Sequence, residues 1–256
     1  MPPMSDAPMN LTPSMAQYME IKNRYQDSLV FFRMGDFYEL FFNDAAVASK
    51  ILDIALTARN RNEQNPIPMC GVPYHSVAGY INKLVSEGHK VAVCEQLEEA
   101  GASKGIVKRD VVKVITPGTQ FDLDALDAKS FNLTCALWLE KDKFYFASCD
   151  FSTGYLVFGD FKSKDELLTY LSSQNIAQIL LVDDDSSEKI TALIPERFFI
   201  ERLPDFYFDE SFATQKILDQ FKTSSLSSIH SKLPLNQAYR RSLGALIKYF
   251  QDTQLK

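Results

Sequence analysis

The chain has 256 residues, 46% of them apolar and 23% charged, with a net charge of -6. That balance belongs to a globular protein long enough for two ordinary domains, and its acidity sets it apart from strongly basic nucleic-acid binders. No apolar run approaches the ~20 residues needed to span a bilayer, and Cys70, Cys94, Cys135 and Cys149 are too scattered for a disulfide framework or a zinc site, so they read as reduced cytosolic thiols in strands. The charge is uneven. Residues 1–120 carry 12 basic against 13 acidic side chains and the remainder 15 against 20, so the first half, nearly neutral, has room for a basic face.

The N-terminal MPPMSDAPMNLTPSM has neither the basic region nor the apolar stretch of a secretory signal. It reads as a disordered arm over residues 1–14, with order beginning near Tyr18. Ser28 to Phe42 then reads as a hairpin: SLVFFRM, the turn signal Gly35-Asp36, and FYELFF. Asn43 is placed to cap a helix, DAAVASKIL, followed by a strand DIALTAR and a polar loop NRNEQNPIPM. In SVAGYINKLVSEG, Val77, Tyr80, Ile81, Leu84 and Val85 form one helical stripe, with Ser76 as N-cap and Gly88 as the stop. Strands KVAVCEQL and VVKVITPG flank the basic loop GASKGIVKRD, and this half reads as α/β around a mixed sheet.

Pro117-Gly118 ends a strand, and the acidic segment after it marks a joint over residues 122–129. The expected domains are therefore 15–121 and 130–256. The second opens with strands NLTCALWLE, KFYFASCDF and YLVFGDF, then a helix introduced by the capping box Ser163 to Glu166. A strand AQILLV and a closing helix, striped with Ala238, Tyr239, Leu243, Leu246, Ile247 and Phe250, complete a second α/β domain.

The run FRMGDFYELF resembles the N-terminal mismatch-recognition domain of the MutS family of DNA mismatch-repair proteins. The resemblance continues through LDIALTARN, PIPMCGVPYHSVAGYINKLV, GHKVAVCEQLE and KGIVKRDVVKVITPGT; only LEEAGASKG departs from the family wording. The second half is similar to the family's connector domain, through CDFSTGYL and the closing helix with its QDTQ, which implies a ribonuclease H-like fold. No G-x-x-x-x-G-K-[ST] phosphate loop occurs in the 256 residues. The resemblance therefore implies an N-terminal fragment that is not itself an enzyme and needs no cofactor. ATP and Mg2+ would belong to the missing ATPase domain. Implied partners are mismatched double-stranded DNA, a MutL-type repair protein, the rest of the MutS body and a second MutS subunit; no membrane is implied, and the location would be cytoplasmic.

In the family a Phe-x-Glu motif reads the mispair, and the matching positions are Phe37 and Glu39. A mispaired step is poorly stacked and costs less to kink than a matched one. A ring entering from the minor groove can stack on the displaced base. Near a polyanion the Glu39 carboxyl should bind its proton more tightly, and it would then donate to a purine N7 or, ionised, accept from a thymine N3-H. Residues two apart on a strand share a face, so Phe37 and Glu39 would point together at the DNA while Tyr38 and Leu40 turn inward. The opposite arrangement buries Phe37 and leaves Glu39 a rim charge.

Met69 resembles the family residue that fills the groove beside the wedge, with ordinary loop packing the equal alternative. Arg33, Arg59, Arg61, Lys104, Lys108 and Arg109 are candidates for backbone phosphates, each otherwise a plain solvated charge. His75 and Ser76 precede the striped helix, whose first amides suit a phosphate, although a packed His75 is the competing reading. A rival function is a ribonuclease H-like metal-dependent nuclease using Asp150 and Asp183 to Asp185, which requires converging carboxylates. A family relative that had lost mismatch sensing would usually lack the Phe37–Glu39 pair.

Overall fold

The structure is a computed structural model describing residues 12–60, 65–98, 107–120, 131–229 and 236–254. It divides between Val114 and Ile115 into two compact units, both α/β. No helix of the described residues is long and apolar enough to cross a membrane.

The first unit opens with α1 (Pro13–Arg24), which begins within the expected arm; residues 1–11 of that arm lie outside the described residues. Proline suits the first helical turn, where its missing N–H would be unpaired anyway. Met15, Tyr18 and Ile21 step by three and are all buried, which anchors the helix. β1 (Ser28–Met34) and β2 (Phe37–Phe41) form the expected hairpin, turning at Gly35 with φ +60°. The chain then enters α2 (Phe42–Leu52) through a left-handed Phe42, φ +52°. Asn43 therefore falls inside the helix, and no side chain caps it, contrary to the expectation from sequence.

β3 (Thr57–Arg59) is shorter than the expected strand. β4 (Ile67–Pro73) is formed from PIPM and the residues after it, where the two prolines point to a loop. The striped helix is α3 (Val77–Ser86), closed by Gly88 at φ +83°, and β5 (Lys90–Gln96) and β6 (Arg109–Ile115) finish the unit. The sheet order is β3-β4-β2-β1-β5-β6, with β5 parallel to β1 and β4 antiparallel to both its neighbours.

α1 covers one face of this sheet, packing Met15, Tyr18 and Ile21 on Val30, Phe32, Phe41, Ala92 and Cys94. α2 and α3 pack on the other, where the buried Cys70 thiol donates to the Ala45 carbonyl. Asp44, at the start of α2, is also buried. It accepts from the Val30 amide at 3.0 Å and the Tyr18 hydroxyl at 3.2 Å, and pairs with Lys22 at 2.9 Å.

The second unit places β7 (Leu133–Glu140), β8 (Lys143–Asp150) and β9 (Leu156–Phe161) in an antiparallel meander. Its first turn, Lys141-Asp142, holds φ +50° and +62°, the paired left-handed geometry a tight hairpin requires. β10 (Ile176–Val182) runs parallel to β7 and β11 (Ile200–Leu203) parallel to β10, giving the order β11-β10-β7-β8-β9 expected of a ribonuclease H-like sheet.

α4 (Lys164–Ser173), with Ser163 accepting from the Glu166 amide as its cap, and α5 (Asp185–Thr191) cover one face over Leu137, Phe146, Leu167 and Ile179. α6 (Glu210–Phe221) and α7 (Gln237–Thr253) cover the other over Ala136, Ala147, Ile217, Leu243 and Leu246. Of these elements α5, β11 and α6 go beyond those expected from the sequence. All four cysteines stand in strands and are free.

The division into units falls ahead of the joint expected at 122–129, a segment that lies, with the rest of residues 121–130, outside the described residues. The turn after β6 already belongs to the second unit. Buried Gln178 accepts from the Gly118 amide at 3.0 Å and the Thr116 hydroxyl at 2.8 Å, while the Thr134 hydroxyl donates to the Gly118 carbonyl. A Cβ on Gly118 would lie 2.0 Å from Thr134 Oγ1, so only glycine fits there.

Candidate nucleic-acid interface

The β1–β2 hairpin decides which side chains of FRMGDFYELF face solvent. Phe37, Glu39 and Phe41 share one face of β2, while Tyr38 and Leu40 take the other and are buried. Phe41 is sealed by the Tyr18 ring of α1, 5.0 Å away edge to face. Phe37 lies beyond that cover and is 48% exposed. The alternation expected from the sequence is thus present, and the arrangement with Phe37 buried is ruled out.

Glu39 stands between Phe32 of β1 and Gly71 of β4, its directly opposed neighbours. It is half-buried. Its Oε2 is shielded from solvent without a hydrogen-bond partner, and the nearest charge is the Arg59 guanidinium, with Nη1 at 3.8 Å. Burial pushes the carboxyl above the ordinary range, and Arg59 partly opposes that rise. The carboxyl is therefore perturbed by its own fold, before any polyanion acts on it.

The hairpin tip gathers further groups. Tyr74 donates its amide to the Asp36 carbonyl at 2.9 Å, fixing the 3-10 turn Tyr74–Ser76 beside the tip. Arg33 lies opposite Tyr38 on the face away from Phe37, and its guanidinium stacks 3.8 Å over the Tyr74 ring. Tyr74 is not among the candidates that the sequence singles out, yet it is 46% exposed; its place beside His75 in PYHS is the signal that could have found it. His75 is exposed, not packed, with its ring edge to face on Tyr74. Ser76 is exposed too, and its hydroxyl donates to the Pro73 carbonyl instead of capping α3.

The other candidates disperse. Met69 sits in a strand opposite Phe41, four residues along from the partner of Phe37, and packs partly against the α1 core. Lys108 is exposed. Arg109 departs from the expectation of a phosphate contact: it is buried, donating to the Arg33 carbonyl at 2.7 Å and the Val107 carbonyl at 3.0 Å, with its guanidinium over Phe32, so it holds the sheet together and offers no free donor face to a phosphate. Arg61 and Lys104 lie outside the described residues, as does most of the 98–109 loop.

The nuclease alternative finds no support in the second unit. Asp150 is buried and accepts from the Ser152 amide and hydroxyl, the Thr153 amide and the Asn132 amide. Burial alone would raise its carboxyl, but these donors outweigh burial and hold it below the usual range. It is the closure of a turn. Asp184 caps α5, and Asp183 and Asp185 are exposed beside it. Among the described residues no three His, Cys, Asp or Glu side chains are grouped to hold a metal ion.

Two α/β units, the first presenting an exposed ring beside a half-buried acid, match the family models of two MutS domains, and the chain belongs to the MutS family. The family model of MutS domain I matches residues 12–124 and that of MutS domain II residues 132–256. Among curated relatives, the DNA mismatch repair protein MutS of Alkaliphilus oremlandii is 42% identical over 252 residues, covering 95% of this chain and 28% of its own length. That of Alkaliphilus metalliredigens is 43% identical, covering 96% and 28%, and that of Staphylococcus epidermidis 40% identical, covering 86% and 26%. The chain thus spans little more than a quarter of the length of these relatives.

Proposed function

We propose that the first unit recognises mismatched or unpaired bases in double-stranded DNA at the opening of mismatch repair. The observation that carries this reading is the exposed Phe37 ring on the same strand face as the half-buried Glu39. The ring enters a weakened step from the minor groove and stacks on the displaced base, and the duplex kinks there. Every base has a π-face, so the ring tolerates many mispairs. Glu39 supplies the polar contact, accepting when ionised and donating when protonated. Arg33, His75, Ser76 and Lys108 are available to position phosphates, and Met69 to border the groove.

The second unit is assigned a docking or transmitting role toward the rest of a MutS body, a second MutS subunit and a MutL-type protein, in the cytoplasm. ATP and Mg2+ are assigned to the body outside this span, and no step here runs through them. The role assigned to this span is binding, not catalysis.

The test is a titration of heteroduplex and homoduplex DNA by the full-length protein and its Phe37→Ala variant. Base–aromatic stacking contributes about 1–3 kcal/mol, so the variant should lose roughly 5- to 150-fold in discrimination. Salt-sensitive background binding should remain. Equal discrimination by the variant would end the assignment.

A further inference from the structure

Glu39 Oε2 is shielded from solvent yet accepts no hydrogen bond. A carboxylate oxygen left that way is costly when ionised, unless a nearby charge compensates. The compensating group is Arg59, which reaches across β4 from the edge strand β3 to place Nη1 3.8 Å away. That distance gives charge stabilisation without a hydrogen bond.

The other elements on this face offer Glu39 no second ion pair among the described residues: on α1, Tyr18 and Lys22 are both engaged with Asp44. β1 contributes Phe32 and Met34, and β4 contributes Met69, Gly71 and Pro73, none of them titratable. From β5 comes Cys94, whose thiol burial pushes up to about 12 and keeps neutral. From β6 comes Arg109, held over the Phe32 ring with its donors on the Arg33 and Val107 carbonyls.

We propose that Arg59 is a positioning residue that holds Glu39 ionised in the DNA-free protein and yields it to protonation when a phosphate draws Arg59 away. Resting on the reading of Glu39 as the polar reader of the base, this links the arrival of the backbone to the chemistry of the base contact. A phosphate that engages the guanidinium removes the charge stabilising the carboxylate. Glu39 then takes a proton from solvent and turns from acceptor to donor. Arg59 thereby contributes to specificity without touching a base.

The experiment needs no DNA. The 256-residue chain carrying 13C-carboxyl glutamate is titrated by NMR, and Glu39 is identified by the signal lost in Glu39→Gln. Removing a unit charge about 4 Å from a half-screened carboxyl should raise its proton affinity roughly tenfold in Arg59→Gln, moving the midpoint to higher pH. Arg59→Lys, which keeps the charge, should restore most of the difference. Arg59 is half-buried on a three-residue edge strand, so both variants should fold. An unchanged midpoint in folded Arg59→Gln overturns the proposal, as does a shift of equal size in Arg59→Lys. An upward shift combined with a Phe37→Ala protein that still discriminates would support the ion pair and remove the DNA reading on its own.

Discussion

Gly244 in α7 stands where α6 and α7 come closest, and replacing it by alanine tests how that second layer is held. A Cβ built there would lie 2.4 Å from both Cα and Cβ of Ala213 and 2.8 Å from its carbonyl oxygen. Carbon atoms attract at about 3.5–4.0 Å, so the helices would have to part by about 1 Å. Alanine gains about 1 kcal/mol in helix propensity over glycine. Overpacking against a side chain costs about 1–3 kcal/mol and more where the obstacle is backbone, as it is here. Parting the helices also loosens Ile217, Leu243 and Leu246, all buried beneath the contact. The balance is a loss of about 2 kcal/mol or more. Trp138 is the single tryptophan and stacks on Phe208, so its fluorescence reports the second unit alone. With a urea slope near 2 kcal/mol/M, the midpoint should fall by about 1 M at unchanged slope. Adding Ala213→Gly should rescue only part, since the Cα at 2.4 Å remains. A midpoint unchanged or raised in Gly244→Ala would refute the close approach.

Two further outcomes separate the roles of chemically similar residues. Phe41→Ala should destabilise the first unit by about 3–5 kcal/mol, while Phe37→Ala stays within about 0.5 kcal/mol; circular dichroism during thermal unfolding checks both, and a large loss in Phe37→Ala would mean the ring supports the fold. Asp150→Ala leaves three amides without an acceptor and should cost at least about 2 kcal/mol at pH 7. Because the folded carboxyl lies below its ordinary 3.8, the wild-type advantage should be full above that pH and shrink as pH falls through the folded value. An advantage that grows on acidification would contradict the hydrogen-bond assignment.

The central motif is legible in the sequence because its information is local. A two-residue period along β2 sorts Phe37 and Glu39 from Tyr38 and Leu40, and a glycine fixes the turn before them. The stripe of α3 and the capping box at Ser163 are local in the same way. What the sequence hides depends on register or on tertiary cover. Arg59 and Arg109 look alike as loop-flanking cations, yet one crosses β4 to Glu39 and the other is buried over Phe32. The prolines of PIPM argue for a loop, but Pro66 precedes β4 and Pro68 is only its second residue, leaving a continuous paired strand after them. α1 has a weakly apolar sequence and owes its place to three side chains buried against strands distant in the chain. Asn43 has the chemistry of a cap, but the corner at Phe42 starts the helix two residues too early for it, with Phe41 at the cap position.

The helix over Pro13–Arg24 roofs only part of one strand face. Two phenyl groups four positions apart therefore have opposite fates: under the roof a benzyl group is mortar, and past its eave the same group stands open to solvent. Without the Tyr18 ring in that roof, Phe41 would lose its edge-to-face cover and join Phe37 as apolar surface open to other chains.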